Sequence, residues 1–247
     1  MVTDFGTVDG YVGAVKGAVL AAAPSARVVD VTHDVGPQQI HEAAFALLVA
    51  APLFPRGTVH LAVVDPGVGS SRRAVAIALG GGEAFLVGPD NGIFSYLLDD
   101  ARSFECVSIA PSGFPGASPT FHGRDLFGPV AGRIAAGGEP AAFGKAVSDP
   151  VRLTPYREPI GARAGRVLHV DRFGNIVTSL RPVGTGFVVS VAGEIVRRRV
   201  LCYVELPAGE LGWYVGSLGL IELGIRNGSA AGRLGVPVGT AVELLPQ

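Results

Sequence analysis

Over its first 150 residues the chain alternates short runs rich in Val and Ile with longer stretches whose apolar residues recur at helical spacing, and this alternation constrains the fold most. "RVVDVTH" (27–33), "TVHLAVVD" (58–65), "AVAIAL" (74–79), "AFLVG" (84–88) and "FECVSIA" (104–110) predict strands. "YVGAVKGAVLAAAP" (11–24) and "IHEAAFALLVAAP" (40–52) predict helices, each ended by a proline that offers no backbone N–H to continue the ladder. Such βαβ patterning predicts the α/β class, with a mainly parallel sheet covered by helices and ligands gathered at the carboxyl ends of its strands. Asp4, Asp65 and Asp90 fall at or just after such ends.

From about Arg163 the texture changes. Helical periodicity fades, and the short pieces "RVLHV", "NIVTSL", "GFVVSV", "EIVRRRV" and "AVELL" follow one another, punctuated by glycine. That pattern predicts a smaller carboxyl-terminal all-β, barrel-like domain over 163–247, beside an α/β domain over 1–150. The intervening "DPVRLTPYREPIGAR" (149–163) carries three prolines and reads as the linker.

Composition excludes several classes of partner. Lys and Arg number 20 against 21 Asp and Glu, so no surplus of positive charge exists to release counterions from nucleic acid, and no basic run marks a membrane surface. The longest apolar stretches, such as Ala43 to Phe54, are broken by proline and too short to span a bilayer. Neither leader nor anchor is expected, and the reading is cytoplasmic. Cys106 and Cys202 lie far apart without CxxC spacing, which suggests neither a zinc site nor a disulfide framework and fits a reducing compartment.

Four stretches carry residues suited to chemistry. "TDFG" (3–6) puts Asp4 just after a very short first strand, where it either starts a turn or faces a polar ligand. In "VVDPGVGSSRR" (63–73), Pro66, Gly67 and Gly69 fold a turn that lets an arginine point back at Asp65, as a structural ion pair or as part of a site. The missing GK[ST] ending rules out a P-loop. In "TFHGRDLF" (120–127), Asp125 reads well as the cap of a helix beginning near Leu126, whereas capping explains His122 poorly and leaves it open to a proton role. "HVDRFGN" (169–175) offers Asp171 and Asn175 as plain turn formers or as a pair for the edge of a planar base. Trp213, the only tryptophan, has either a pocket or the barrel core as its place.

Taken in order, "TDFG", "VVDPGVGSSRR", "GPDNGIFS", "TFHGRDLF", "DRFGN" and "SLGLIELGIRNGSA" resemble the S-adenosyl-L-methionine (SAM) hydrolases. These are also called SAM hydroxide adenosyltransferases and are relatives of the SAM-dependent fluorinase and chlorinase. The likeness runs from Thr3 to Ala230. It implies hydrolysis of SAM to adenosine and L-methionine by water or hydroxide attack at C5′ of the ribose, with no cofactor and no metal. It also implies a homotrimer whose SAM site lies between the first domain of one subunit and the second of its neighbour. By position, Asp65, Arg72 and His122 match the family's catalytic aspartate, arginine and histidine, with Arg73 a neighbour. Asp4 matches the aspartate that holds the ribose hydroxyls. Asp171, Phe173 and Asn175 fall where the adenine or amino-acid end is contacted, and Ser217 matches the serine of an Asn-Ser pair. Two departures stand out: the first strand is clipped to Met1-Val2-Thr3, and Gly216 replaces the asparagine before Ser217. Two other readings use the same residues: a non-catalytic SAM or adenosine binder, and halide-dependent SAM chemistry.

Overall fold

In the computed structural model, which describes residues 1–184 and 186–247, the chain divides into two units, Met1–Thr154 and Pro155–Gln247. The first is built on a six-stranded sheet. Its strands are β1 (Val2–Thr3), β2 (Thr58–Val63), β3 (Ala74–Leu79), β4 (Ala84–Pro89), β5 (Phe104–Ile109) and β6 (Gly144–Ala146), in the order β1-β2-β4-β3-β5-β6.

The sheet is mixed rather than mainly parallel. β2 runs parallel to β1 and β4, but β3 is antiparallel to β4 and β5, and β6 is antiparallel to β5. The reason is local. Only four residues separate β3 from β4, too few for the dozen or so of a parallel crossover. Gly80, Gly81 and Gly82 all take positive φ there, which closes a hairpin instead. A second difference concerns 27–33, which forms no strand. Because β1 offers two residues, this segment makes only a bridge at Thr32 and two flanking backbone hydrogen bonds, Val31 N to Met1 O and Thr3 N to Thr32 O.

Helices α1 (Tyr11–Ala22), α2 (Ile40–Ala50), α3 (Ser95–Asp100) and α4 (Gly128–Ala135) cover the two faces. Alternation along β2 assigns them. Leu61 and Val63 pack with Val15 of α1 and Val130 of α4, whereas Ala62 and Val64 pack with Leu47 of α2 and Leu97 of α3. Each fully buried Leu or Val contributes about 1.5–3 kcal/mol. α4 lies close against α1 because it carries glycine at the contact: a Cβ at Gly132 would fall 2.7 Å from that of Ala22. The parallel register Thr3↔Val63 makes β1 and β2 end side by side, so the residues after them, Asp4 and Asp65, emerge at the same edge of the sheet.

The second unit is an all-antiparallel, nearly closed barrel-shaped sheet. It comprises β7 (Ala164–Val170), β8 (Ile176–Thr178), β9 (Phe187–Val191), β10 (Glu194–Val196), β11 (Leu211–Val215), β12 (Ile221–Ile225) and β13 (Ala241–Pro246), in the order β10-β9-β13-β7-β8-β12-β11. Trp213 belongs to its core: it is 1% exposed and stacked on Phe187 at 4.7 Å between ring centroids. The hairpin β11–β12 escapes sequence reading, since Gly212 and Gly224 interrupt its apolar runs. A short helix, α5 (Ala230–Leu234), is capped by the Ser229 hydroxyl accepting from Gly232 N.

Candidate active site

Beyond β2 the chain passes through buried Val64 to Asp65 and then winds into a tight turn. Val68 N donates to Asp65 O, the Ser70 hydroxyl donates to Gly67 O at 2.7 Å, and Arg72 N donates back to that hydroxyl oxygen. The turn brings Arg72 around onto Asp65. Its Nε donates to Oδ1 at 2.8 Å and its Nη2 to Oδ2, a two-pronged pair between side chains only 11% and 6% exposed. Such forked pairs hold direction as well as charge. Arg73, the next residue, turns the other way. It donates to Asp90 at 2.6 Å and to Asp149 at 2.8 Å, while Asp90 also accepts from Val151 N. Arg73 and Asp90 therefore tie the strand ends to the chain leaving the unit.

His122 comes to Arg72 from a second loop, 50 residues on, its Nδ1 lying 2.8 Å from Arg72 Nη2. Gly69 makes that approach possible. It has φ +77, and a Cβ there would meet the Pro119 carbonyl oxygen at 2.6 Å, so the two loops touch backbone to backbone. Fully buried Phe127 forms the floor, with the guanidinium of Arg72 over its face at 5.2 Å and the His122 ring edge-on at 6.3 Å. Burial, and then the charge of Arg72, hold the His122 imidazole below its ordinary pKa, with Asp65 and Asp125 pulling the other way. Asp125 is not a cap. Its Oδ2 accepts from Ser118 N at 2.9 Å and both oxygens pair with Arg124, pinning the loop that carries His122. α4 begins only at Gly128, after a π-helical turn over Gly123–Phe127.

Asp65 and His122 line a cleft of about 540 Å³, in the range of small-molecule sites, together with Asp4, Phe5, Tyr11 and Phe121. Asp4 accepts from the backbone N of Gln38 at 2.9 Å. Gln38 also borders the cleft and holds φ +66, a left-handed conformation that a non-glycine residue adopts at some cost. Phe5, Tyr11 and Phe121 form a triangle of edge-on rings, their centroids 5.4–6.1 Å apart. It is an apolar wall on which a flat heterocycle or an alkyl chain can rest.

The other expected site residues belong to the second unit. Asp171 Oδ1 accepts from Phe173 N and Asn175 N, and its Oδ2 accepts from Asn175 Nδ2 at 2.8 Å. Asp171 and Asn175 are thus turn formers bonded to one another, while the side chain of Phe173 is left 77% exposed. Asn175 Oδ1 is buried and has no partner among the described residues. Ser217 is exposed in the turn between β11 and β12, where Gly216 N donates to Leu220 O. The Glu222 carboxyl group occupies the space that a side chain at 216 would take, so an asparagine there would require Glu222 to swing aside. Among the described residues no group of three or more His, Cys, Asp and Glu is arranged to hold a metal, and no helix is long and apolar enough to cross a membrane.

Comparison with known proteins agrees with the ordered motifs. Residues 1–144 match the SAM hydroxide adenosyltransferase N-terminal domain, and 165–243 match the C-terminal domain of the same family. The chain belongs to the SAM hydroxide adenosyltransferase family. Its relatives include the (R)-S-adenosyl-L-methionine hydrolase of Thermus thermophilus, 43% identical over 98% of this chain and 97% of that one. A solved structure of a conserved protein from Thermotoga maritima superposes with a TM-score of 0.88 at 30% identity, over 99% and 98% of the two chains. A fluorinase from Actinopolyspora mzabensis stands further off, 28% identical over 98% and 95%.

The sequence alone does not mark Phe5, Tyr11, Gln38 and Phe121 as site residues. Phe5 and Phe121 lie inside the motifs "TDFG" and "TFHGRDLF" and Tyr11 opens α1, but nothing local says that the three rings converge. Tyr214 and Glu222 were also missed. They face each other across β11 and β12, and burial, then neighbouring carboxylates, raise the pKa of both.

Proposed function

We propose that this protein hydrolyses S-adenosyl-L-methionine, in the (R) form that its relatives' names specify, to adenosine and L-methionine. The observation that carries the reading is the unbroken chain Asp65–Arg72–His122, whose two ends line a cleft large enough for a nucleoside. The sulfonium already makes methionine a good leaving group from C5′, so the difficulty is the nucleophile: water must be placed in line, stripped of part of its solvation and relieved of a proton. Arg72, held rigid by Asp65, places positive charge beside that water and favours hydroxide, while Asp65 and His122 orient it. No cofactor is called for, because the substrate brings its own leaving group. Asp4 is proposed to hold the ribose hydroxyls, and the ring triangle to bear apolar parts of the substrate. Asp171, Phe173, Asn175 and Ser217 are proposed to receive the adenine or amino-acid end.

The family resemblance supports a homotrimer in which those last four residues complete a neighbouring subunit's cleft; sedimentation gives the mass that tests it. Two free cysteines, Cys106 with its thiol pushed up to about 12 by burial, suit a reducing, cytoplasmic setting. Chromatography after incubation with SAM tests the main reading, with adenosine and methionine expected in equal amounts. Tight binding without product, or a halogenated nucleoside formed in chloride-rich buffer, would overturn it.

A further inference from the structure

The hydrogen bond between Arg72 Nη2 and His122 Nδ1 can run in one direction only. A guanidinium has five donors, no acceptor, and keeps its charge in proteins, so Nδ1 accepts and bears no proton. The fork has no other choice, since Nε and Nη2 each give a hydrogen to Asp65 and the remaining Nη2 hydrogen faces the imidazole. The ring is then neutral, and its single proton belongs to Nε2. Among the described residues nothing is bonded to Nε2, and His122 borders the cleft. Burial and the Arg72 charge keep the ring in that state.

We infer that His122 serves in the cleft as a hydrogen-bond donor, Nε2–H gripping the nucleophilic water by its oxygen, and that Asp65, not His122, takes the water's proton. This rests on the hydrolase reading. A neutral imidazole whose Nδ1 is occupied and whose Nε2 is protonated has no lone pair left for a base. Asp65 has: each carboxylate oxygen accepts one bond from Arg72 and retains further acceptor capacity. In the step, the water oxygen bonds to C5′ while the C5′–S bond breaks and its electron pair stays on sulfur, which departs as the neutral thioether of methionine. The proton lost from the water goes to Asp65 and then to solvent. His122 neither gains nor loses a proton; it sets the direction of the oxygen lone pair.

Two measurements on the full chain test this. Long-range nitrogen–proton NMR of protein labelled with 15N-histidine, with the His122 signal assigned by its disappearance in His122→Gln, should show the Nε2–H tautomer at neutral pH. An Nδ1–H tautomer or an imidazolium overturns the inference. In turnover assays His122→Gln, whose amide donates from near the Nε2 position but has no basic nitrogen, should retain at least tenfold more kcat than His122→Ala. Equal loss in both overturns the donor role. If His122→Gln does not fold, His122→Ala supplies the NMR assignment and the parent tautomer decides alone. A parent protein that forms no adenosine sinks the hydrolase reading itself, whereas an active parent with the other tautomer sinks only this division of roles.

Discussion

Replacing Gly69 by alanine should damage catalysis well beyond what it costs the fold. At φ +77 an added side chain meets the left-handed penalty of about 1–2 kcal/mol per residue. The new Cβ would also stand 2.6 Å from the Pro119 carbonyl oxygen, whereas ordinary contact begins at 3.4 Å. To relieve it, the loop carrying Arg72 and the loop carrying His122 must part by about 0.8 Å, the difference between those two distances. A misplacement near 1 Å costs about 10²-fold in rate, and the strain lowers Tm by roughly 2–8 °C. Gly81 provides the control. It has a similar φ of +68, lies in the β3–β4 turn, and has nothing within 4 Å of its Cβ position. Gly81→Ala should lose comparable stability and keep parental turnover. Calorimetry and an adenosine-release assay on both variants read the two effects separately. Parental kcat/KM in Gly69→Ala, or equal loss of turnover in Gly81→Ala, would refute loop contact as what sets the Arg72–His122 distance.

Other perturbations separate binding, chemistry and stability. Arg72→Ala should retain SAM binding by calorimetric titration while kcat falls about 10²–10⁴-fold; parental turnover would remove Arg72 from the proposed mechanism. Asp171→Ala takes away the acceptor for three hydrogen bonds, so the unfolding free energy should fall by about 1–3 kcal/mol and KM for SAM should rise; an unchanged KM would count against its proposed role. His60, 6% exposed on β2, is pushed down to about 4 by burial. Since its folded value lies below the unfolded 6.5, its contribution is fully present above pH 6.5 and drains as pH falls towards 4, by about 3 kcal/mol in all. His60→Leu should therefore flatten the melting temperature between pH 4 and 6.5, and an unchanged slope would show that another group drives the acid limb.

Much of this protein can be read without coordinates. The strands 74–79, 84–88 and 104–110 and the helices 11–24 and 40–52 follow from the period of their apolar residues, a local property that tertiary packing here reinforces. The directions of the strands were less legible: three glycines turned "AVAIAL" back onto "AFLVG" as a hairpin, where alternation alone suggested a crossover. The ordered motifs named the family and, through it, Asp65, Arg72 and His122, because glycine- and proline-shaped turns leave a recognisable string of letters. The same string does not say that Asp125 holds Ser118 N instead of capping a helix.

Residue types and periodicity thus determined the classes of the two units and the side chains available for chemistry. Only the tertiary structure decided that Arg72 turns in and Arg73 out, that Gly69 lets two distant loops meet, and that three aromatic rings wall one cleft. These outcomes depend on side-chain direction and on contacts between segments far apart in sequence, 50 residues for Arg72 and His122 and 76 for Arg73 and Asp149. A period in sequence records which face of an element is apolar; it does not record what that face will meet.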